Sequence, residues 1–582
     1  MLLSLLWSCS ATNVPECNNS FECYTQFGVG YVCETLPGAN TDSHRYCMQP
    51  TQSDDGNRTP ERLQNAMEIC QSTTPDGLFE NWDTRSNNHL IGSLYYESSS
   101  NSGQHLTKAI DIAVEKANRN KVDGRGFTVI HCNYYENGEY SEQRIRDAVD
   151  FLVGELQVPL IFGPYRSDAA LNALNQNMIH ERNAVFISGS VTAGDTLGRS
   201  EYFWRTLPND LVQGYLLNQV LVRAQSGNEP ISKFIALQED EDVYSEGLMS
   251  RINVVNADDR ELFTRPSGLE DQDESARIAA IESEIRDKLT TLWSRSVENS
   301  INNEEVGLVF IASSQSDTYK AFINVFYEDE TYSGVRVFMS DSAANESVLN
   351  HLNDPATSPA LPESILIQGT TPYPSRNSNV QLLYNDFESD FDRYPEASNT
   401  PAASLSGYYA NSRSSDWNPF TPYTYDAAWV GLYAYIWGYY RDQVSLSDTD
   451  NVYNLVSGDS VKDALKTITG AEAMNNPFTF GAADPRFNEF SSLVNASNPG
   501  FDVRGTTSEL EYLNTIAGDN DELIGPMAIW NISSQNGTFL REQVNICEFA
   551  SEELTEENIQ CCCDAENTLT TTCSDFNQNL CP

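Results

Sequence analysis

Between residues 89 and 207 the chain alternates short, mostly apolar runs with stretches in which apolar residues recur every three or four positions. The runs predict strands at 90–94, 127–131, 158–162 and 184–187. The spacing between them predicts amphipathic helices that pack an apolar stripe on a sheet. Because strand and helix alternate strictly, this region predicts a parallel α/β sheet with crossover helices. The helical positions are Leu106, Ala109, Ile110, Ala113, Val114 and Ala117, then Ile145, Ala148, Val149, Leu152, Val153 and Leu156, then Ala170, Leu171, Leu174, Met178 and Ile179.

The same alternation continues over residues 208–372, which therefore predict a second α/β unit. Strands are expected at 234–237, 306–311, 335–339 and 365–368. A long acidic insertion after the first of these strands carries apolar residues at helical spacing. Those residues are Ile278, Ile281, Ile285, Leu289 and Leu292.

Polar loops follow two of the predicted strands in the first unit. Ser167 lies in the loop after strand 158–162, and Ser190 and Thr192 follow strand 184–187. In an open parallel sheet the loops at the carboxyl ends of neighbouring strands meet at one edge, where such folds hold small ligands. Hydroxyls and backbone N–H groups near the start of a helix suit a carboxylate or another small anion.

These loops also carry a recognisable pattern. One strand ends in Gly163-Pro164 and is followed by Ser167 at a helix start, and the next ends in Ile187-Ser188 with Thr192 four residues on. This stretch resembles the type I periplasmic binding proteins, specifically the branched-chain amino-acid substrate-binding group of ABC importers.

Further motifs in the same order extend the resemblance over about residues 89–545. In the second lobe Ser245 stands where the pattern D-x-x-Y-G-x-G has its first glycine. The matching segments are Ile91-Gly92, Gly103, Ala113-Val114-Glu115 and Asn118; Phe203-Trp204-Arg205-Thr206, Pro208 and Asp210; Asp242, Tyr244 and Gly247; and Tyr425-Asp426-Ala427.

The resemblance implies an α/β fold of the two-lobed type I periplasmic-binding kind, with two Rossmann-like parallel sheets joined by a hinge of crossovers. Cys-rich segments flank this body at both ends. The expected divisions are a leader at 1–9, a Cys-rich segment at 10–50, a linker at 51–88, lobe 1 at 89–207 and 373–500, lobe 2 at 208–372 and 501–546, and a Cys-rich tail at 547–582.

The resemblance also implies a ligand site between the lobes. Ser167, Ser190 and Thr192 would hold a carboxylate, while Asp341 and Tyr244 would close over an ammonium group. Ser102, Ser314 and Gln315 occupy further positions at which the family contacts its ligand. Asp341 has an alternative role from the residues alone, since Asp is a preferred N-cap for a following helix. For Arg205 an ion pair near the hinge is preferred to a ligand contact.

Charge narrows the choice of partners. The 582-residue chain has a formal net charge of -48, with 35 Lys and Arg against 83 Asp and Glu. Such a chain repels nucleic acid and anionic membranes. The excess charge is otherwise explained by a highly soluble extracellular surface.

The ends of the chain indicate export. The run MLLSLLWSC resembles the tail of a bacterial lipoprotein signal, which would make Cys9 the lipidated residue; the alternative is an ordinary export signal with Cys9 in a disulfide. Ten of the remaining 12 cysteines cluster in polar terminal segments, which need disulfides to hold a shape, whereas Cys70 and Cys132 lie apart from both clusters. Zinc is an alternative for the clusters, but the six histidines are scattered and no C-x-x-C pair occurs.

Together these features predict a solute-binding protein without a cofactor or enzymatic activity. It would be periplasmic or on the bacterial cell surface, attached to the membrane only through a lipid anchor, and would have an ABC permease as partner. The apolar stretch 423–440 contains Asp426 and six tyrosines, which favours a buried helix over a membrane span. The sequence has no G-x-S-x-G, H-E-x-x-H, Walker or G-x-G-x-x-G pattern. The alternatives are a ligand-sensing receptor ectodomain, which six Asn-x-Ser/Thr sequons would suit, and a surface lipoprotein without a transport role.

Overall fold

The computed structural model describes most of residues 88–549 and short pieces outside that range. The described residues are 16–17, 23, 32–35, 45–48, 69–70, 72–76, 78, 88–95, 101–136, 139–175, 183–194, 200–226, 229–269, 272–297, 301–312, 316–354, 367–375, 378–394, 418–445, 456–469, 479–484, 486–494, 502–508, 510, 512–513, 522–523, 525–535, 538–549 and 559–563.

Strands and helices are numbered here in chain order. The strands are β1 Val32–Thr35, β2 Arg45–Met48, β3 Ser72–Thr74, β4 His89–Ser93, β5 Phe127–His131, β6 Tyr135–Glu136, β7 Glu139–Tyr140, β8 Leu160–Phe162, β9 Val185–Ser188, β10 Phe203–Arg205, β11 Lys233–Glu239, β12 Arg260–Phe263, β13 Val306–Ile311, β14 Arg336–Met339, β15 Ile367–Pro372, β16 Thr479–Gly481, β17 Asp502–Arg504, β18 Tyr512–Leu513, β19 Glu522–Leu523, β20 Met527–Gln535, β21 Thr538–Phe549 and β22 Ile559–Cys563. The α-helices are α1 Asn101–Asn118, α2 Glu142–Val149, α3 Ser167–Leu174, α4 Asp210–Ala224, α5 Val243–Met249, α6 Glu274–Ser296, α7 Ser316–Glu328, α8 Glu346–Asn353, α9 Ser378–Arg393, α10 Thr421–Ser445, α11 Gly458–Thr469 and α12 Phe490–Val494.

The first lobe is built on a six-stranded sheet in the order β10-β9-β8-β4-β5-β3. Strands β4, β5, β8, β9 and β10 are parallel, as the alternation of strands and helices predicts. The strand order reverses between β4 and β8, because β5 and β8 lie on opposite sides of β4. Ligands bind beyond the carboxyl ends of the strands at such a reversal.

The second lobe is built on an eight-stranded sheet in the order β12-β11-β13-β14-β15-β20-β21-β22. Strands β11 to β15 are parallel, and β20, β21 and β22 extend the sheet antiparallel. Here too the order reverses, with β12 and β13 on opposite sides of β11. The acidic insertion forms α6, whose Ile281, Ile285, Leu289 and Leu292 are buried against the sheet.

The chain returns to the first lobe with α9 to α12 and the short parallel pair β16 and β17. Helix α10 packs on α1, β8 and β9. Its aromatic residues are buried on all sides in the first lobe's core, as expected for a helix that is apolar all round. Within the described residues, no helix is long and apolar enough to cross a membrane.

Disulfides tie the N-terminal part of the chain together. Cys23 bonds to Cys47, and Cys70 bonds to Cys132 at the end of β5. Cys17 and Cys547 are also disulfide-bonded. Cys17, Cys23 and Cys47 lie within 4.8 Å of one another, yet each sulfur is already in a disulfide and so is not a thiolate that could bind zinc.

Three segments pair with the lobes at places that local patterns do not indicate. Strand β3 comes from the segment predicted as a linker, and it pairs with β5 beside the Cys70–Cys132 bond. Strand β17 pairs with β16 of the first lobe before the chain crosses to β20. Strand β22, from the Cys-rich tail, pairs with β21.

Candidate functional site: a polar pocket between the lobes

A pocket of about 350 Å³, counting the part open to solvent, lies where the carboxyl-end loops of the two sheets face each other. The first lobe contributes the loops after β8 and β9 and the residue before α10. The second lobe contributes the loops after β11 and β14. The lining residues are Tyr165, Arg166, Ser167, Asp168, Ser190, Thr192, Asp242, Tyr244, Asp341, Ser342 and Phe420.

The loop after β9 is shaped by the hydroxyl of Ser188. This oxygen accepts hydrogen bonds from the backbone N–H of Ser190 (3.2 Å) and of Val191 (3.1 Å), and it donates to the carbonyl of Pro164 (2.9 Å). Tyr95 adds a further contact to Ser188 at 3.1 Å. The strand-end serine therefore fixes the turn that presents Ser190 and Thr192 to the pocket.

The start of α10 packs closely against this turn. A side chain added at Gly189 would lie 2.3 Å from the backbone nitrogen of Thr424 and 2.4 Å from the carbonyl carbon of Tyr423. Only glycine fits at this close approach of two backbones. The contact also brings Phe420, just before α10, to the pocket wall.

The hydroxyls predicted to bind a carboxylate lie on the first-lobe side of the pocket. Ser190 donates to the backbone carbonyl of Tyr165 at 3.0 Å. The oxygen of Ser167, at the first turn of α3, accepts a hydrogen bond from the N–H of Ala193 at 3.3 Å. Because that bond uses a lone pair of Ser167, its hydroxyl hydrogen remains available to an acceptor in the pocket.

Arg166 is a pocket residue that the sequence reasoning missed. Its guanidinium forms a bidentate pair with Asp168, with Nε 2.9 Å from Oδ1 and Nη2 2.8 Å from Oδ2. The side chain is only 8% exposed, and Nη1 has no hydrogen-bond partner among the described residues. Burial disfavours the charge, but Asp168 outweighs it and keeps the pKa of Arg166 above its ordinary value.

Asp341 lines the pocket from the second lobe. It is 2% exposed, its Oδ1 accepts a hydrogen bond from the hydroxyl of Tyr244, and its Oδ2 accepts none from the described residues. Burial raises the pKa of Asp341 to about 6, although the Tyr244 hydroxyl opposes the shift. The alternative role as a helix cap is wrong for α8, because Asn345 caps that helix by accepting from the N–H of Val348 at 3.0 Å.

Asp242 is a second carboxylate of the same lobe. It caps α5, with Oδ2 accepting from the N–H of Ser245 at 2.8 Å and from its hydroxyl at 2.6 Å. Its pKa is raised to about 7, first by burial and then by the nearby Glu239, while Arg166 lowers it. The serine that replaces the family pattern's glycine thus contributes a hydrogen bond to this carboxylate.

More negative charge lies behind the pocket wall. Asp210 opens α4 and is 2% exposed. Burial and the charge of Asp341 hold its pKa well above the ordinary value. The pocket lining itself pairs three carboxylates with one guanidinium, so it is anionic when all four groups are ionised.

Of the eight predicted ligand residues, five line this one pocket: Ser167, Ser190, Thr192, Tyr244 and Asp341. Ser102 lies in the first turn of α1, and its side chain is outside the described part. Ser314, Gln315 and Cys9 lie outside the described residues. Arg205 donates to the carbonyls of Thr192 and Ala193, each at 3.1 Å; it supports the loop after β9 from behind.

The pocket residues missed from the sequence are Tyr165, Arg166, Asp168, Asp242, Ser342 and Phe420. A signal existed for Arg166 and Asp168, since they flank Ser167 in a loop already chosen as a site. Phe420 has no such signal, because its place depends on the packing of α10 against the turn at Gly189.

Two solved structures are similar to this chain. One is the branched-chain amino acid transporter substrate binding protein LivJ from Streptococcus pneumoniae, in complex with isoleucine. It is 13% identical, with 78% of this chain and 99% of that chain covered and a TM-score of 0.44. The other is the leucine binding protein LivK from Thermotoga maritima, at 12% identity, 79% and 98% coverage and a TM-score of 0.46.

No protein-family model and no curated protein matches the chain.

Proposed function

We propose that this chain is an extracytoplasmic solute-binding protein that holds an amino acid, or a similar small carboxylate with an ammonium group, between its two lobes. One observation carries the proposal. Hydroxyls and a guanidinium with an unpartnered N–H from the first lobe line the same pocket as a second-lobe carboxylate that has one oxygen without a partner.

The two halves of the pocket match the two ends of an amino acid. Its carboxylate would accept from the Ser167 hydroxyl and from Nη1 of Arg166, both on the first lobe. Its ammonium group would donate to Oδ2 of Asp341 on the second lobe. Charge-assisted hydrogen bonds of this kind are roughly twice as strong as neutral ones.

This division of contacts supplies a reason for the lobes to close. Each half of the pocket binds one end of the ligand, so the full set of contacts forms only when the lobes approach. A ligand stabilises the closed arrangement by its differential affinity for it. The disulfides fit an oxidising compartment, which supports a location outside the cytoplasm; delivery to an ABC permease and anchoring through Cys9 remain expectations from the sequence.

The test is a thermal-shift screen of the oxidised full chain against amino acids and small carboxylates. A ligand present at 100 times its dissociation constant adds about 2.7 kcal/mol of stability. Asp341→Asn and Ser167→Ala should each weaken binding, the first by tenfold or more, since a hydrogen bond to a charged group is worth about 1.5–3 kcal/mol.

Asp287→Asn is the matched control, because Asp287 is exposed on α6, away from the pocket. It should leave both the melting temperature and the ligand shift unchanged. Stabilisation that persists in Asp341→Asn and Ser167→Ala would place the binding site elsewhere. A folded protein that responds to no compound would refute the proposed function.

A further inference from the structure

The pocket lining carries more negative than positive charge when its groups are ionised. A zwitterion with one ammonium and one carboxylate group leaves this negative excess in place. Asp242 and Asp341 come from the ends of two different strands, β11 and β14, and both line the pocket. Among the described residues of the lining, Arg166 is the only basic side chain, and two of its three nitrogens are engaged with Asp168. Neither Asp242 nor Asp341 forms an ion pair within the described part of the chain.

Each of these two carboxylates has one oxygen satisfied and one free. In Asp341, Tyr244 donates to Oδ1 and Oδ2 is buried without a partner. In Asp242, Ser245 donates twice to Oδ2, while Oδ1 receives no hydrogen bond from the residues described. The free oxygen of Asp341 is buried, and a buried carboxylate oxygen without a donor is costly, so it calls for a donor from the ligand. Asp242 lines the same pocket, and its free oxygen can accept from a second donor of the ligand.

The rest of the lining is a poor surface for an aliphatic side chain. Among the described residues that line the pocket, none is Val, Leu, Ile or Met; the apolar surface comes from Tyr165, Tyr244 and Phe420. Tyr165 and Phe420 meet edge to face, with ring centroids 6.5 Å apart. Aromatic faces attract cations as well as hydrocarbon, so they accommodate a methylene chain that ends in a positive charge.

We propose that the ligand is a dibasic amino acid, whose side chain ends in an ammonium or guanidinium group that pairs with Asp242 while the α-ammonium group pairs with Asp341. This inference rests on the proposed function and names its substrate class. The α-carboxylate keeps its place at Ser167 and Nη1 of Arg166. A ligand with a single cationic group, such as zwitterionic leucine, leaves the free oxygen of Asp242 without a partner.

The test compares L-lysine with L-norleucine, which has the same carbon chain but lacks the terminal ammonium group. Binding to the oxidised full chain is measured by isothermal titration calorimetry, with L-ornithine, L-arginine and L-leucine as further probes. Lysine, ornithine or arginine should bind at least tenfold more tightly than norleucine and leucine. Asp242→Asn keeps an N-cap acceptor for α5 and should lower the affinity for lysine at least tenfold more than the affinity for norleucine.

The outcomes separate this inference from the proposed function. If leucine or norleucine binds more tightly than every dibasic amino acid, the dibasic assignment fails and amino-acid binding stands. If Asp242→Asn weakens lysine and norleucine equally, Asp242 acts through the fold of α5 and the assignment fails. If none of the amino acids binds the folded wild-type protein, the proposed function fails and this inference falls with it.

Discussion

At the scale of single residues, the two second-lobe carboxylates differ in the pH at which they lose their charge. Burial raises the pKa of Asp341 to about 6 and that of Asp242, with the help of Glu239, to about 7. A protonated carboxyl cannot pair with a ligand cation. Binding at Asp341 should therefore be complete well above pH 6 and be lost as the pH falls through 6.

The expected result is a loss of affinity of about tenfold for each pH unit below 6, which follows from displacing one proton per ligand. A dibasic ligand should begin to lose affinity nearer pH 7, because it also needs Asp242 ionised. Titration calorimetry between pH 5 and 8, about one unit on either side of these pKa values, measures both profiles. Asp341→Asn should bind a ligand with a single ammonium group weakly and with a flat profile down to pH 5; a wild-type affinity that rises on acidification would contradict the assignment.

Sequence reasoning at this scale found the hydroxyls and one carboxylate. Ser167, Ser190 and Thr192 could be predicted because polar residues directly after strands of a parallel sheet share one edge. Asp242 matches a family motif, but the sequence does not predict it as a ligand residue. It caps α5 by accepting from the N–H of Ser245, and the sequence does not show that its other oxygen is left without a partner. Which groups lie opposite the unpartnered carboxylate oxygens depends on how the two lobes pack against each other.

At the scale of elements, Asp426 in α10 fastens one of the chain's crossings between lobes. Its two oxygens accept four hydrogen bonds, from the N–H groups of Thr506 (2.6 Å) and Thr507 (2.9 Å) and from their hydroxyls (2.8 and 2.5 Å). Gly505 lies so close that a side chain there would be 2.5 Å from this carboxylate. The N–H of Ser375, after β15, donates to the carbonyl of Thr507 at 2.7 Å. Asp426 thus holds the crossing at Thr506 and Thr507 directly. The crossing at Ser375 is joined to it through the carbonyl of Thr507.

Asp426→Ala should therefore destabilise the protein strongly, by roughly 3 kcal/mol, because several buried donors lose a charged acceptor at once. Chemical denaturation monitored by circular dichroism measures the loss. Asp386→Ala, an exposed position on the neighbouring helix α9, should change stability by less than about 0.5 kcal/mol. Equal effects of the two substitutions would mean that the Asp426 hydrogen bonds do not support the fold.

The alternating strands and helices of the two lobes could be predicted from local patterns. The pairings between strands far apart in sequence could not. Runs such as Val306–Ile311 are fully buried strands, and the helical spacing of the acidic insertion matches the buried face of α6. The pairing of β3 with β5, and of β20 with β15, joins segments far apart in sequence. No local period of apolar residues specifies a partner strand at such a distance.

At the scale of the whole molecule, the net charge of -48 opposes folding, because it places many like charges on a compact surface. Salt screens this repulsion. Raising the sodium chloride concentration from about 0.01 M to about 0.15 M shortens the screening length from roughly 30 to 8 Å, so it should raise the melting temperature. Differential scanning calorimetry at about pH 7.5 measures this change in melting temperature.

The matched control is the same salt series near pH 4, where about half of the ordinary carboxylates are protonated. The stabilisation by salt should be much smaller there. A melting temperature that falls with salt at neutral pH would show that attractive ion pairs outweigh the repulsion. The affinity for a cationic ligand should move in the opposite direction, since salt also screens its attraction to the pocket.

The placement of α10 on the first sheet has a consequence for the nascent chain. The last strand of that sheet ends at Arg205, whereas the helix that covers it begins at Thr421, about 200 residues later. At a synthesis rate of about 5–20 residues per second, the apolar face of β8 and β9 waits on the order of 10–40 seconds for its cover. During that interval the uncovered apolar face is open to aggregation or to binding by a chaperone.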